Sequence, residues 1–297
     1  MKISKEKLSD CFLLSPLFFF YAAMIGVPIM LIFLSSLGLI SLTAKIPKGF
    51  TLEGYRKFFL SSGSPYLVSL LFTFRVTLIS TIIATALGYL LALFLKLRKP
   101  SLSKLCISLI RIPLFCPFLI SSFMWWTLLY PKGYISIIFE KIFIDFLHII
   151  QTGIPLTNGP YGIGIIMCAS WMKFPIAFSI MYGLFHMVDP ELEAAARNLG
   201  ARTWQVIRYI YFPLTIYGVL SSAVAIFLSV FIAFSIAFVH GGSWPRFLSI
   251  LIYRDTMERG EWLMGYTASI VYITISLIIS YIYLQIINLQ EKKRQSK

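Results

Sequence analysis

Charged residues are scarce in this sequence, and acidic residues are scarcer than basic ones. Only 13% of the 297 residues are charged, with 12 Asp and Glu against 26 Lys and Arg. A soluble globular domain carries about 25% charged residues. Because 58% of the residues are hydrophobic, the composition excludes an ordinary soluble domain and predicts an integral membrane protein.

Patterns for metal binding and for disulfides are also missing. The sequence has 4 Cys and 3 His, with no C-x-x-C pair and no histidine pair at the spacing of metal ligands. Most of the cysteines lie inside apolar runs, so we interpret them as buried thiols that neither bind metal nor form disulfides. The cysteines are Cys11, Cys106, Cys116 and Cys168, and the histidines are His148, His186 and His240.

Catalytic and nucleotide-binding signatures are absent as well. The chain has no H-E-x-x-H, no G-x-x-x-x-G-K-[ST] and no G-x-S-x-G, the patterns of zinc peptidases, P-loop ATPases and α/β-hydrolases. The chain is therefore not predicted to be an enzyme. Its net charge of +14 comes without a basic stripe of interleaved aromatic residues, so nucleic acid is not an expected partner. Basic loops at an anionic lipid surface explain the charge better.

Six apolar stretches are each long enough to cross a lipid core, which needs about 20 residues. The third is interrupted by Pro113 and Pro117, and the long segment 131–163 between the third and fourth is not a span. Its middle keeps Lys141, Asp145 and His148 on one side, as an interfacial helix would. The predicted spans are Phe12–Ile40, Tyr66–Leu95, Leu105–Tyr130, Tyr161–His186, Thr215–Val239 and Tyr266–Ile287.

The distribution of basic residues orients these spans. Six spans place both termini on one side of the membrane. Segments 1–11, 96–104, 188–213 and 289–297 hold 14 Lys and Arg in 55 residues, whereas the segments on the other side hold 9 in 81. Because basic residues accumulate in cytoplasmic loops, both termini and segment 188–213 are predicted to be cytoplasmic.

A polar, helix-forming stretch from Met187 to Leu214 separates the fourth span from the fifth. Asp189 is suited to cap a short helix, and Pro190 suits the first helical position. Gly200 supplies the left-handed residue that ends such a helix, and a second short helix is predicted after Thr203.

One face of the first short helix carries apolar residues. Leu192, Ala195 and Leu199 follow the i, i+3, i+7 spacing. A short helix–Gly–helix element at the membrane surface is suited to dock into a groove on another protein. On physical grounds alone, an ordinary helical loop is an equally good interpretation.

The same stretch resembles the coupling loop of the permease subunits of bacterial ABC importers, whose pattern is E-A-A, three residues, G, nine residues, I-x-L-P. Ala195, Ala196, Gly200, Ile210 and Pro213 fall into that register. Two positions depart from it. The Glu of the pattern falls on Ala194, while Glu193 lies one residue early, about 100° away around the helix; Phe212 replaces the Leu before Pro213.

This resemblance implies a type I ABC importer permease fold, an all-α membrane protein with six transmembrane helices and a cytoplasmic coupling helix between spans 4 and 5. It divides the chain into an N-terminal part (1–65), a core permease domain (66–288, with its coupling loop at 188–213) and a basic tail (289–297). The implied location is the bacterial plasma membrane. The residues expected to couple to the ATPase are Glu193, Ala194, Ala195, Gly200, Ala201, Arg202, Ile210 and Pro213.

The resemblance also implies partners. These are a dimer of ATPase subunits that binds ATP and Mg²⁺, a second permease that is identical or homologous, and an extracytoplasmic solute-binding protein. No cofactor is expected on this chain itself. The R-N-L-G-A sequence around Gly200 resembles the permeases for polyamines, ferric iron, thiamine and aminoethylphosphonate.

Two basic residues, Arg75 and Lys173, fall deep inside predicted spans. Charged residues in a membrane are costly and mark either a solute path or an internal ion pair, and both interpretations stay open. No Asp or Glu accompanies them inside a span, so an anionic or zwitterionic solute is favoured if this chain touches solute.

Two alternatives belong to other classes. A stand-alone secondary transporter would work without an ATPase and often shows internal repeats, of which the sequence offers no convincing example. A membrane-embedded enzyme would need paired carboxylates, a nucleophile or metal ligands within the spans, and none is found.

Overall fold

The structure is a computed structural model that describes residues 14–17, 19–40, 49–98, 101–142 and 155–295, with side chains up to residue 285. Within these ranges the regular structure is entirely helical. The predicted N-terminal tail with Cys11, the residues Asp145 and His148, and the last two residues of the C-terminal tail lie outside the described part.

The helices are numbered here in chain order. They are α1 (Leu14–Ser36), α2 (Glu53–Phe59), α3 (Pro65–Arg98), α4 (Ser103–Arg111), α5 (Phe118–Leu129), α6 (Tyr134–Glu140), α7 (Ile163–Met187), α8 (Pro190–Asn198), α9 (Thr203–Phe231), α10 (Ser235–His240), α11 (Leu248–Tyr253) and α12 (Trp262–Gln295). Five of them, α1, α3, α7, α9 and α12, are long and apolar enough to cross a membrane, and a bent pair of helices brings the number to six if it counts as one span.

The bent pair contains the predicted third span, Leu105–Tyr130, and continues to Glu140. The chain bends by 103° between its two parts, Ser103–Phe115 and Phe118–Glu140. Cys116 is extended (φ −81°, ψ 126°), as expected for a residue before proline, because the proline ring disfavours the helical conformation there. The predicted interruption is therefore confirmed.

The fifth span differs from its predicted bounds. A single helix, α9, begins at Thr203 inside the coupling segment and ends at Phe231, where Thr215–Val239 had been predicted. Pro213 does not break it, because a π-helical turn at Ile207–Tyr211 precedes the proline. Such a turn adds one residue to the helix. The helix can therefore continue past a proline, which has no backbone N–H to donate. The chain then breaks at residues 232–234 before α10.

The described residues group into two compact units, Met1–Leu67 with Leu251–Leu277 and Val68–Ile250 with Ile278–Lys297. In the first unit, the buried carboxylate of Asp255 accepts hydrogen bonds from the Tyr66 hydroxyl (2.7 Å) and from Arg259 (3.0 Å). Burial of the carboxyl raises the pKa of Asp255, and these two hydrogen bonds only partly oppose it.

The core of the second unit is built around α7, which contributes to two buried apolar clusters. Helix α3 approaches it closely at Gly88, where a Cβ atom would lie 2.6 Å from the Ala177 Cβ and from the Phe178 backbone nitrogen. Small residues permit such close packing of membrane helices. Of the predicted buried thiols in the described part, Cys168 is fully buried and Cys106 and Cys116 are partly buried.

Candidate coupling site

The coupling segment consists of α8, the turn at Gly200 and the first turns of α9. The Asp189 carboxylate accepts a hydrogen bond from the Glu191 backbone N–H at 2.9 Å, so the predicted N-cap is confirmed. Gly200 has φ +83°. The Gly200 N–H donates to the Arg197 carbonyl (2.9 Å) and the Ala201 N–H to the Ala196 carbonyl (3.0 Å). These bonds satisfy the last carbonyls of α8, and the predicted left-handed stop is confirmed.

The Glu193 side chain turns inward and ties α8 to α9. Its Oε2 accepts a hydrogen bond of 2.6 Å from the Tyr211 hydroxyl. Its Oε1 accepts two hydrogen bonds from Arg197, from Nε at 2.9 Å and from Nη2 at 2.8 Å. The Glu193 side chain is 24% exposed. One carboxylate therefore holds the middle of the coupling helix against the start of the next span.

The electrostatics favour an ionised Glu193. Partial burial opposes ionisation, but the hydrogen bonds from Tyr211 and Arg197 and the positive charges of Arg197 and Lys96 outweigh it, so the pKa of Glu193 is lowered. The tie is thus a charge-assisted contact at neutral pH, and such hydrogen bonds are stronger than neutral ones.

Tyr211 extends the tie into the membrane helices. It is 1% exposed, and its ring meets that of Phe185 on α7 edge to face, with centroids 5.4 Å apart. At the beginning of α9, the Gln205 side chain accepts a hydrogen bond of 2.7 Å from the Arg202 backbone N–H. The coupling helix is therefore connected through Glu193 and Tyr211 to both the fourth and the fifth span.

The remaining face of the coupling segment is apolar and uncovered. Leu199 is 90% exposed, Leu192 and Ala195 of the predicted apolar face are exposed too, and Trp204 is exposed near the start of α9. The face that carries the apolar residues of α8 is thus free to meet another molecule.

The residues predicted to couple fall into three groups. Glu193 is turned inward, Ala201 and Ile210 are half-buried against the core of the second unit, and the others are exposed. The exposed ones are Ala194, Ala195, Gly200, Arg202 and Pro213. Ala194 occupies the register of the pattern's Glu, so an exposed methyl group lies where the pattern has a carboxylate. Sequence reasoning missed Tyr211, since no local pattern relates it to a residue 18 positions earlier.

Arg75 and Lys173, predicted as candidates for a solute path, line different cavities. Arg75 is exposed, and its Nη2 donates a hydrogen bond of 3.4 Å to the carbonyl of Pro160. Lys173 is 6% exposed, and its ammonium lies 4.4 Å from the centroid of the Phe118 ring. Neither forms an ion pair with a carboxylate in the part of the chain with described side chains. The structure does not bring the two together.

No family model matches the chain. Among curated proteins, it is similar to the spermidine/putrescine transport system permease protein PotB of Salmonella typhimurium, with 25% identity over 244 residues that cover 82% of each chain. PotB of Escherichia coli K12 is matched over the same length with 25% identity, covering 82% of this chain and 85% of the relative.

Among solved structures, the chain resembles a subunit of the bacterial alginate ABC transporter in complex with an alginate pentasaccharide-bound periplasmic protein. The TM-score is 0.69 at 16% identity, over 94% of this chain and 93% of the other. This likeness concerns the fold. Together with the match to PotB over most of its length, it confirms the resemblance drawn from the coupling segment, including the grouping with polyamine permeases. The chain is a homologue of the permease subunits of ABC importers and has their fold.

Proposed function

We propose that this chain couples an ATPase to solute import through α8 and the start of α9. The main support is that the two sides of this segment differ. One side exposes an apolar face at Leu192 and Leu199, and the other faces the membrane helices, where Glu193 accepts a hydrogen bond from Tyr211. The exposed face is suited to enter a groove on the ATPase, in the manner of other helix-in-groove contacts.

In this mechanism the ATPase dimer binds ATP and Mg²⁺ and closes, and the docked α8 moves with it. Because Glu193 holds Tyr211, and Tyr211 packs against Phe185, a displacement of α8 is passed to α9 and α7 together. This chain carries no part of the hydrolysis; its residues dock, hold the joint and transmit the motion.

The proposal includes the orientation and the partners. The coupling segment and both termini face the cytoplasm, in agreement with the excess of basic residues in those segments. A second permease, identical or homologous, completes the path across the membrane, and an extracytoplasmic binding protein delivers the solute. The crystallised alginate transporter includes such a periplasmic protein, which supports this arrangement.

The solute is proposed to be a small polar molecule that carries an amino group. The support is the match to permeases for spermidine and putrescine over 82% of the chain. Ferric iron, thiamine and aminoethylphosphonate, the other solutes of the resemblance at R-N-L-G-A, complete the panel for uptake assays.

The coupling role is tested with Leu199→Asp. A carboxylate on the most exposed apolar residue of the docking face should abolish copurification of the ATPase, because it would have to be buried in an apolar groove. Leu60→Asp is the matched control, since Leu60 is also highly exposed (77%) but lies in a segment predicted to be on the opposite side of the membrane.

Two results would contradict the proposal. One is normal ATPase copurification and uptake with Leu199→Asp. The other is solute accumulation by the purified chain in liposomes without any ATPase, which would favour the stand-alone transporter.

A further inference from the structure

A cavity of about 240 Å³ lies where the fifth span breaks. Its walls come from α5, α7, the end of α9, the start of α10 and the chain between them, and they include Phe118, Lys173, Ser229, Ile232 and Ser235. At ~30 Å³ per water molecule, the cavity has room for a small solute or part of a larger one. The function assigned to the coupling segment does not use it.

Among the described residues that line this cavity, Lys173 alone is charged. Its side chain is 94% removed from solvent, and the ammonium lies over the Phe118 ring. A cation–π contact of this kind stabilises the charge, but by less than a buried ammonium needs. The described side chains offer Lys173 no carboxylate partner.

The position of Lys173 along α7 places the cavity deep in the membrane. The residue is ten positions after Ile163 and fourteen before Met187. At 1.5 Å per residue these distances are about 15 Å and about 21 Å, so Lys173 lies near the middle of a hydrocarbon core about 30 Å thick. A lipid headgroup therefore does not reach it, and a small anion that pairs with Lys173 would enter along the path.

We propose that this cavity binds an anionic group of the solute in transit, a carboxylate, phosphate or phosphonate, through the ammonium of Lys173. The inference rests on the proposed function and narrows its solute class. Ser229 and Ser235 supply hydroxyl groups in the same wall that can donate hydrogen bonds to the anion. A small zwitterion would meet Lys173 through its anionic group, and its amino group keeps it within the solute class proposed above.

The alternative is a structural role, in which Lys173 is held by Phe118 and by the negative carbonyl end of α9. The two roles differ in whether an added anion binds. A structural Lys173 would not bind one, whereas a solute-binding Lys173 would form an ion pair with it.

The test measures equilibrium binding to the detergent-purified importer complex. The probes are radiolabelled aminoethylphosphonate, inorganic phosphate and β-alanine. Unlabelled methylphosphonate and ethanolamine serve as competitors that carry only the anion or only the amine. Lys173→Met and Lys173→Gln remove the charge in two ways, Lys173→Arg keeps it, and Lys132→Gln neutralises an exposed loop lysine as the control.

We expect at least one probe to bind the wild type, with displacement by methylphosphonate. Both neutral variants should weaken binding about tenfold or more, a loss of about 1.4 kcal/mol or more, while Lys173→Arg and Lys132→Gln stay near the wild type. Three results would overturn the inference: no binding of any probe, equal binding by the neutral variants, or displacement by ethanolamine alone.

The proposed function is read separately in the same preparation from whether the ATPase copurifies with the permease. If the permease binds the anion but the ATPase does not copurify, the coupling proposal is contradicted and the anion site stands. If the ATPase copurifies but no anion binds, the anion site is contradicted and the coupling proposal stands.

Discussion

The hydroxyl of Tyr211 gives the sharpest test of how the coupling helix is held. Tyr211→Phe removes a single oxygen, the donor to the Glu193 carboxylate at 2.6 Å, and keeps the ring that packs against Phe185. The change therefore separates the tie between α8 and α9 from the packing of the membrane helices.

The free energy lost in Tyr211→Phe can be estimated from the type of hydrogen bond that is removed. A hydrogen bond to a charged group contributes about 1.5–3 kcal/mol. The ion pair between Glu193 and Arg197 remains in the variant, but it lies within α8 and does not hold α8 against α9. A loss of ~2 kcal/mol raises the population in which α8 is detached roughly 30-fold. The global stability should change less, because Tyr211 stays buried.

The assay is hydrogen exchange of the α8 amides, which reports local opening, together with the number of solutes imported per ATP hydrolysed. We expect exchange in α8 to accelerate by about an order of magnitude or more, and import per ATP to fall. Tyr209→Phe is the matched control on the same helix, because the Tyr209 side chain is 68% exposed. Unchanged exchange in α8 with Tyr211→Phe would refute the assignment of Glu193 as the tie.

Three further predictions concern the same helices. Lowering the pH should leave the α8 amides protected from hydrogen exchange, after correction for intrinsic exchange, down to the ordinary carboxyl pKa of 4.5. The pKa of Glu193 in the folded protein is lower, so its stabilisation of α8 is lost only as the pH falls through that lower value. Loss of protection between pH 7 and 5 would contradict this. Gly200→Val should destabilise the coupling segment by about 1–2 kcal/mol and weaken ATPase copurification, because a side chain at φ +83° is strained although nothing lies within 4 Å of the added Cβ. Gly200→Asn should keep the copurification, because Asn tolerates this backbone conformation. Equal behaviour of both variants would argue against strain. Gly88→Ala should lower the unfolding temperature through overpacking of about 1–3 kcal/mol against Ala177, whereas Gly183→Ala, with nothing within 4 Å, should not; the same melting behaviour in both would show that α3 and α7 do not pack this closely.

Features set by neighbouring residues were predictable from the sequence. Asp189 caps α8 and Gly200 ends it, because capping and left-handed turns depend on one or two residues. Pro117 bends the third span for an equally local reason.

Features set by contacts between distant residues were not predictable. The sequence placed Glu193 one residue out of register and grouped it with the residues expected to couple to the ATPase. The structure pairs its side chain with Tyr211, which no helical periodicity connects to it. The unbroken course of α9 past Pro213 was missed for another reason, since it depends on a π-helical turn that has no distinctive sequence signal.

The unbroken course of α9 has a mechanical consequence. Its 29 residues make a lever about 43 Å long, with Tyr211 near one end and the wall of the Lys173 cavity at the other. A tilt of ten degrees about the coupling end would sweep the far end through roughly 7 Å for a rod of that length. In the proposed coupling mechanism, a small rotation at the docked end of α9 therefore displaces the wall of the Lys173 cavity by a distance comparable with the size of a small molecule.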